Sequence, residues 1–464
     1  MKREAGKKEK ENVHKQSALI VTTLSAFLTP LALSTVNVAL PSIGGAFSMN
    51  AIALSWVATA YLLTAAMFLL PFGKLADIYG RKRIFYIGTW VFTISSFLLG
   101  FSPSGGMLIA FRAIQGIGGA MLFGTGNAIL SSVFPAGERG RVFGINVAAV
   151  YLGNSFGPFL GGIITHHMGW RWIFFLNIPF GLTIILLSLL KLKTEWADAQ
   201  SESFDYVGSF VYSLSFLAII YALSLLPFIS GWLFIVSGLL GIAFFIKWEA
   251  QTEHPIIHVR LFNKNRIFIF SNIAALINYS ATFVIGFLLS FYLQHIRGFT
   301  PQRAGIILVS QPIIQAIFSP FAGKISDRVE PRIVASGGML LTAMGLFLLA
   351  CIKENTPLMF IIMNLGLLGL GFAFFSSPNT NAIMSSVENR FYGVASATLA
   401  TMRLLGQIVS MGIAMALFAI YMGRVEIVPL YYPQLLLSIK VTFTVCGFLC
   451  IGGIFASLIR GNLR

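Results

Sequence analysis

Gly73-Lys74-Leu75-Ala76-Asp77-Ile78-Tyr79-Gly80-Arg81-Lys82-Arg83 lies between two long apolar runs, Ala51–Phe72 and Ile84–Phe101. One carboxylate, two glycines placed to end helices and a cluster of bases read as a tight polar turn between membrane helices. A shortened copy, Gly323-Lys324-Ile325-Ser326-Asp327-Arg328, returns 250 positions later. A repeat at that offset, in a chain this apolar, reads as two related bundles of membrane helices.

Composition supports the same reading. The chain has 464 residues, 56% of them hydrophobic and 10% charged, where a soluble domain carries about 25% charged residues. Apolar runs long enough to cross about 30 Å of hydrocarbon recur from Ser17 to Arg460, and a window reading counts about fourteen of them. The expected class is therefore all-α integral membrane. An even count places both termini on one side. The first run is longer than the core of a cleavable signal and no small-residue cleavage site follows it, so it is expected to stay as the first span.

Charge orients the chain. Of the 32 lysines and arginines, 24 fall in the N-terminal tail, alternate loops and the C-terminus, six fall on the opposite side, and Arg112 and Arg403 lie within spans. The positive-inside rule makes the tail side cytoplasmic. The net charge of +16 is then topogenic and attracts anionic lipid heads; it calls for no nucleic acid. The cysteines, Cys351, Cys446 and Cys450, lie in or near spans, and the spacing of Cys446 and Cys450 suits packing rather than metal or redox chemistry. With no metal-ligand cluster and no P-loop pattern, neither a metal, nor a cofactor, nor ATP-driven pumping is expected, and the chain does not read as an enzyme.

The expected organisation is a basic tail (1–16), a six-helix bundle (17–190), an acidic cytoplasmic linker (191–205), an inserted helix pair (206–248), a charged cytoplasmic loop (249–267), a second six-helix bundle (268–460) and a short tail (461–464). In this 6+2+6 arrangement the two Gly-Lys-x-x-Asp copies follow the second helix of each bundle.

Several residues stand out as candidate sites. Gly73, Asp77 and Arg81, with Asp327 of the second copy, read as a latch that holds helices in one conformation and releases them in another. In the first span Asn37 either lines a cavity or bonds across a helix interface. Arg112, Gln115, Gly116 and Gly119 share one helix face at i, i+3, i+4 and i+7, and Arg403, Gly406, Gln407 and Ser410 repeat the pattern. An arginine inside a span is costly and marks a site by default. Gly153, Gly157 and Gly161 form a smooth stripe that admits a close helix neighbour, with Pro158 among them as a bend point. Ser376–Asn381 reads as a broken, polar end to the twelfth span.

Together these motifs resemble the major facilitator superfamily. Gly73–Phe85 resembles its signature loop, Arg112 with Gln115-Gly116 its fourth-helix arginine motif, and Gly153-x-x-x-Gly157-Pro158-x-x-Gly161-Gly162 its antiporter motif. Val36-Asn37-Val38-Ala39-Leu40-Pro41 and Trp170-Arg171-Trp172-Ile173-Phe174 resemble signatures of the fourteen-helix drug:proton antiporter branch. The resemblance spans 17–460. It implies two six-helix bundles rocking about a central cavity, exporting lipophilic drug-like compounds in exchange for protons, or Na+, from a monomer in the cell membrane. It implies Asp77 with Arg81 as gate, Gly153, Gly157 and Pro158 as hinge, and Arg112 in the substrate or proton path; the residue pattern itself adds Gly161 to the hinge and Asn37, Gln115, Arg403 and Gln407 to the path. Ala32 stands where many members carry an aspartate, and no other carboxylate falls clearly inside a span. The alternative is therefore an organic anion or zwitterion paired with Arg112 or Arg403. A non-transporting membrane sensor or embedded enzyme is the remote third reading.

Overall fold

A computed structural model describes residues 2–192, 194–197, 199, 202–256, 265–326, 328–388 and 392–461. Asp327, one of the expected gate residues, lies outside them. Among the described residues, fourteen helices are long and apolar enough to cross a membrane. The first six are α1 (Lys15–Phe47), α2 (Ala51–Tyr79), α3 (Arg81–Gly100), α4 (Gly105–Val133), α5 (Arg141–His167) and α6 (Trp172–Lys191). A pair follows, α7 (Tyr206–Leu223) and α8 (Ile229–Glu249). The last six are α9 (Arg266–Ile296), α10 (Pro301–Ser326), α11 (Pro331–Ala350), α12 (Leu358–Ser385), α13 (Ala395–Tyr421) and α14 (Pro429–Ile459).

Local chemistry fixes many of the helix starts. Asn50 caps α2 by accepting the Ala53 N–H at 2.8 Å, Asp205 caps α7 through Gly208 N–H at 2.8 Å, and Thr300 precedes Pro301 at the start of α10. These side chains satisfy N–H groups that have no partner inside the helix. The turn between α2 and α3 depends on Gly80, whose φ is +113°. A Cβ there would also lie 2.5 Å from the Glu195 carboxyl carbon, so backbone shape and space both require glycine.

Two sequence expectations are corrected. Gly73 does not end α2: the helix runs through it to Tyr79, past Pro71, and Gly73 instead passes close to Gly124 of α4. Ser376–Asn381 is not a broken end either. α12 continues through Pro378 to Ser385, with Thr380 Oγ1 donating to the Ser376 carbonyl at 2.8 Å. Proline is tolerated where hydroxyls and neighbouring helices compensate for the freed backbone groups.

The two sets of six pack alike. α1 lies along α5, α2 and α3 lie along α4, and α3 meets α6; after a shift of eight spans, α9 lies along α13, α10 and α11 along α12, and α11 meets α14. The α7–α8 pair packs together and leans on α2, where Tyr212 Oη and Ser213 Oγ donate to the carbonyls of Ala66 and Met67. Its outer face presents Phe210, Leu233 and Leu240, each about two-thirds exposed, a surface that hydrocarbon solvates and water does not.

Away from the termini the two sets close on each other. Gln294 Nε2 donates to Val38 O at 2.9 Å, and Asn50 forms an antiparallel bridge with Glu426. A Cβ on Gly162 would lie 2.6 Å from the Pro301 carbonyl oxygen, and one on Gly305 would collide with that of Pro158. Backbone meets backbone there, which only small residues permit.

Candidate functional site: a central cavity and its gate

A cavity of about 560 Å³ lies between the two sets of six, walled by α1, α2, α4 and α5 on one side and by α10, α12 and α13 on the other. Its lining runs from the middle of the helices toward their termini-side ends. Leu33, Leu62, Leu122 and Phe123 give it apolar walls, and Asn127, Asn146, Asn154, Asn381 and Gln407 supply amide groups. Asn146 Nδ2 donates to Asn127 Oδ1 at 2.8 Å, and Asn127 Nδ2 donates to Ser396 Oγ at 3.1 Å, joining α5, α4 and α13 at the wall. A large apolar space with few convergent polar groups is the ordinary form of a small-molecule site.

Arg403 is the charged residue among the described lining. It is half-buried and turned to the cavity, and its guanidinium carbon stands 5.5 Å from the ring of Tyr151 and 5.2 Å from that of Tyr279. Its Nε is buried with no hydrogen-bond partner. Tyr151 belongs to α5 and also meets Ser376 of α12 through its hydroxyl, a contact between the two sets.

Arg112 is differently placed. It is fully buried and does not line the cavity; Tyr61 does, and the guanidinium sits behind it, 4.6 Å from the ring. Nε donates to Val57 O at 3.0 Å and Nη1 to Gln115 Oε1 at 2.6 Å, while Gln115 Nε2 donates to Ser96 Oγ at 2.8 Å. This network ties α4 to α2 and α3. Gln115 thus bonds Arg112 away from the cavity, whereas Gln407, one turn along α13 from Arg403, lines the cavity with it. Asn37 is 8% exposed, lies outside the cavity lining, and has an Oδ1 without a partner.

The glycine stripe of α5 faces α1. A Cβ on Gly153 or Gly157 would run into Phe27 or Ser34, and one on Gly161 would stand 2.7 Å from Thr35 O. Pro158 lies on another face, toward α10. One helix therefore contacts its own set through the stripe and the opposite set through Pro158 and Gly162.

At the termini side, Arg81 Nε donates to Asp77 Oδ1 at 2.8 Å, and Arg81 Nη1 reaches Ser132 Oγ of α4. The linker after α6 lies over this turn. Arg81 N–H donates to Trp196 O at 2.8 Å, Lys82 N–H to Glu195 Oε1 at 2.8 Å, and Ala199 N–H to Asp77 O at 3.0 Å. Lys74 pairs with Glu202, which also has His254 at 3.5 Å.

By sequence Arg460 falls among the bases of the termini side, yet it is 1% exposed. Its Nη1 donates to Ser271 Oγ at 3.2 Å and Asn379 Oδ1 at 3.0 Å, pinning the end of α14 to α9 and α12. A base closing the last span reads as a topogenic residue, and no sequence signal set it apart.

The comparisons agree with this architecture. The family model described as Major Facilitator Superfamily matches residues 22–262 and 272–462. The chain belongs to the Major Facilitator Superfamily. Within it, the chain is 34% identical over 385 residues to "Riboflavin transporter RibZ" of Clostridioides difficile, covering 83% of this chain and 84% of that one. It is 31% identical to "Multidrug resistance protein Stp" of Mycobacterium tuberculosis, over 87% of this chain and 76% of that one. It is 32% identical to "Multidrug resistance protein 3" of Bacillus subtilis, over 76% and 70%. Among solved structures, a bacterial homologue of the human lysosomal transporter Spinster, inward-facing and unoccupied, aligns over 96% of this chain and 97% of its own, with a TM-score of 0.67 at 14% identity. That likeness speaks to the fold. The protein is a multi-pass membrane transporter of this superfamily and not an enzyme.

Proposed function

We propose that this transporter exports lipophilic, drug-like compounds by alternating access, in exchange for protons. The observation that carries the reading is the cavity: large, largely apolar, walled by both sets of six helices, reaching toward the termini side and sealed at the opposite side. Two rocking six-helix bundles with an inserted pair expose such a cavity to each side in turn. With the termini cytoplasmic and the chain in the cell membrane, the state described here is loaded from the cytoplasm. Asp77 and Arg81 act as the cytoplasmic gate, with Gly73 beside them and Asp327 as the counterpart in the second half. Gly153, Gly157, Pro158 and Gly161 act as the hinge.

Relatives named for multidrug resistance support export, and the relative named for riboflavin supports a planar, hydrogen-bonding cargo, which the amide groups of the wall would suit. The absence of a carboxylate from the described lining disfavours cationic drugs. It also leaves proton coupling to a group outside the cavity. A second reading, export of one organic anion or zwitterion, is favoured by Arg403 in the wall.

The test is everted membrane vesicles with an imposed proton gradient. Dissipation of the gradient by neutral lipophilic dyes, and dye accumulation abolished by a protonophore, are expected. Accumulation that follows Na+ instead would transfer the coupling to Na+. Vesicles in which no neutral or anionic compound moves would overturn the reading.

A further inference from the structure

We propose that Arg403, framed by Tyr151 and Tyr279, anchors the anionic group of an amphipathic aromatic substrate. The inference rests on the cavity being the transport route and names the substrate class it takes.

Three observations carry it. First, Arg403 lines the cavity, and among the described residues no carboxylate neutralises it. Arginine stays charged in proteins, so the positive charge is held within a span without a carboxylate counter-ion among the described residues. Second, its Nε is buried and has no hydrogen-bond partner. The two tyrosine faces attract the cation and the neutral Tyr279 hydroxyl takes one of its hydrogen bonds, so no anionic acceptor meets its charge and N–H donors remain for an incoming one. Third, Arg112 supplies an internal contrast. It also sits against a tyrosine, but it is fully buried and stands away from the cavity, and protein acceptors take its Nε and Nη1, leaving Nη2 without a partner. Arg112 is enclosed by the fold, whereas Arg403 opens on the cavity.

A guanidinium presents N–H groups in a planar fork that matches a carboxylate, sulfonate or phosphate. The apolar wall formed by Leu33, Leu62, Leu122 and Phe123 suits the aromatic body of such a ligand. The site also lies at the junction of the bundles. Tyr151 comes from the first set of six, Tyr279 and Arg403 from the last, so an anion held here is in contact with a residue pairing that spans both.

A matched pair of probes tests this: 2-naphthoate and its uncharged isostere 2-naphthamide, titrated calorimetrically into the full chain in lipid nanodiscs. Wild type is expected to bind the acid at least about tenfold tighter than the amide, as charge-assisted hydrogen bonds imply. In Arg403→Gln the ratio should fall to about one while amide binding persists, which also reports that the variant is folded. Arg403→Lys, which keeps the charge but not the fork, should retain part of the preference. Equal binding of acid and amide by wild type, failure to bind the acid, or a preference that survives in Arg403→Gln overturns the inference. Neutral-dye flux in everted vesicles without acid preference would sink this inference alone; acid preference without any flux would sink the transport reading instead.

Discussion

Pro158 of α5 and Gly305 of α10 meet backbone to backbone across the two sets of helices, with no room for a Cβ on Gly305. Their neighbours Gly162 and Pro301 make a second such contact. Together they form part of the seal on the side away from the termini. Such contacts depend on small residues rather than on strong bonds, so they would part readily under the proposed rocking of the two sets.

Gly305→Leu should therefore unseal that side. Overpacking a tight contact costs about 1–3 kcal/mol, which at about 1.4 kcal/mol per tenfold moves the equilibrium some five- to a hundredfold away from the sealed state. Spin labels at Gly106→Cys and Glu354→Cys, in a Cys351→Ser background, sit on the two sets at this side. Their distance distribution should shift to longer values in the variant, with transport slowed. An unchanged distribution would remove Pro158 and Gly305 from the seal.

Much of this was legible in the chain. The fourteen apolar runs and the repeat of Gly-Lys-x-x-Asp pointed to the superfamily because hydrocarbon thickness and turn chemistry constrain sequence directly. The helical spacing of Arg403 and Gln407 was equally readable. What packing adds could not be read. Arg112 and Arg403 head the same i, i+3, i+4, i+7 pattern, yet one is enclosed and bonded to Val57 and Gln115 while the other faces a cavity. Tyr151 and Tyr279 frame Arg403 from helices more than a hundred residues apart. The polar run Ser376–Asn381 looked like a helix end because serine, proline and asparagine favour turns; in α12 Ser377, Thr380 and Asn381 line the cavity instead. Arg460 showed no pattern at all.

Arg112 and Arg403 should consequently respond differently to lysine. Arg112→Lys removes the fork that bonds Val57 O and Gln115 Oε1, leaving buried acceptors short of donors at a cost of about 1–3 kcal/mol. The thermal midpoint of the purified protein should fall, while the relative affinities for charged and neutral ligands stay as in wild type. A changed charge preference with an unchanged midpoint would instead place Arg112 on the substrate path.

The linker after α6 is expected to stabilise the α2–α3 turn. Lys74 and Glu202 pair across it, with side chains 10% and 33% exposed. Partly exposed pairs contribute about 1 kcal/mol or less, so Lys74→Glu should destabilise modestly by bringing like charges together. The exchanged double variant, Lys74→Glu with Glu202→Lys, should recover part of the loss. The measurement is a double-mutant cycle on the thermal midpoint. Strict additivity would mean that the pair is not coupled in solution.

The sidedness of the chain can be read from its three cysteines. Cys351 closes α11 at the side away from the termini and is exposed, whereas Cys446 and Cys450 are buried within α14. Only an accessible thiolate reacts readily with maleimide. The loop that follows Cys351 lies on the side poor in lysine and arginine, which the positive-inside rule places outside the cell. A membrane-impermeant maleimide applied to intact cells should therefore label the wild type once, and Cys351→Ser not at all. In everted vesicles the same reagent should leave Cys351 unlabelled. Labelling of Cys351 only in everted vesicles would invert the orientation, and with it the direction of transport proposed here.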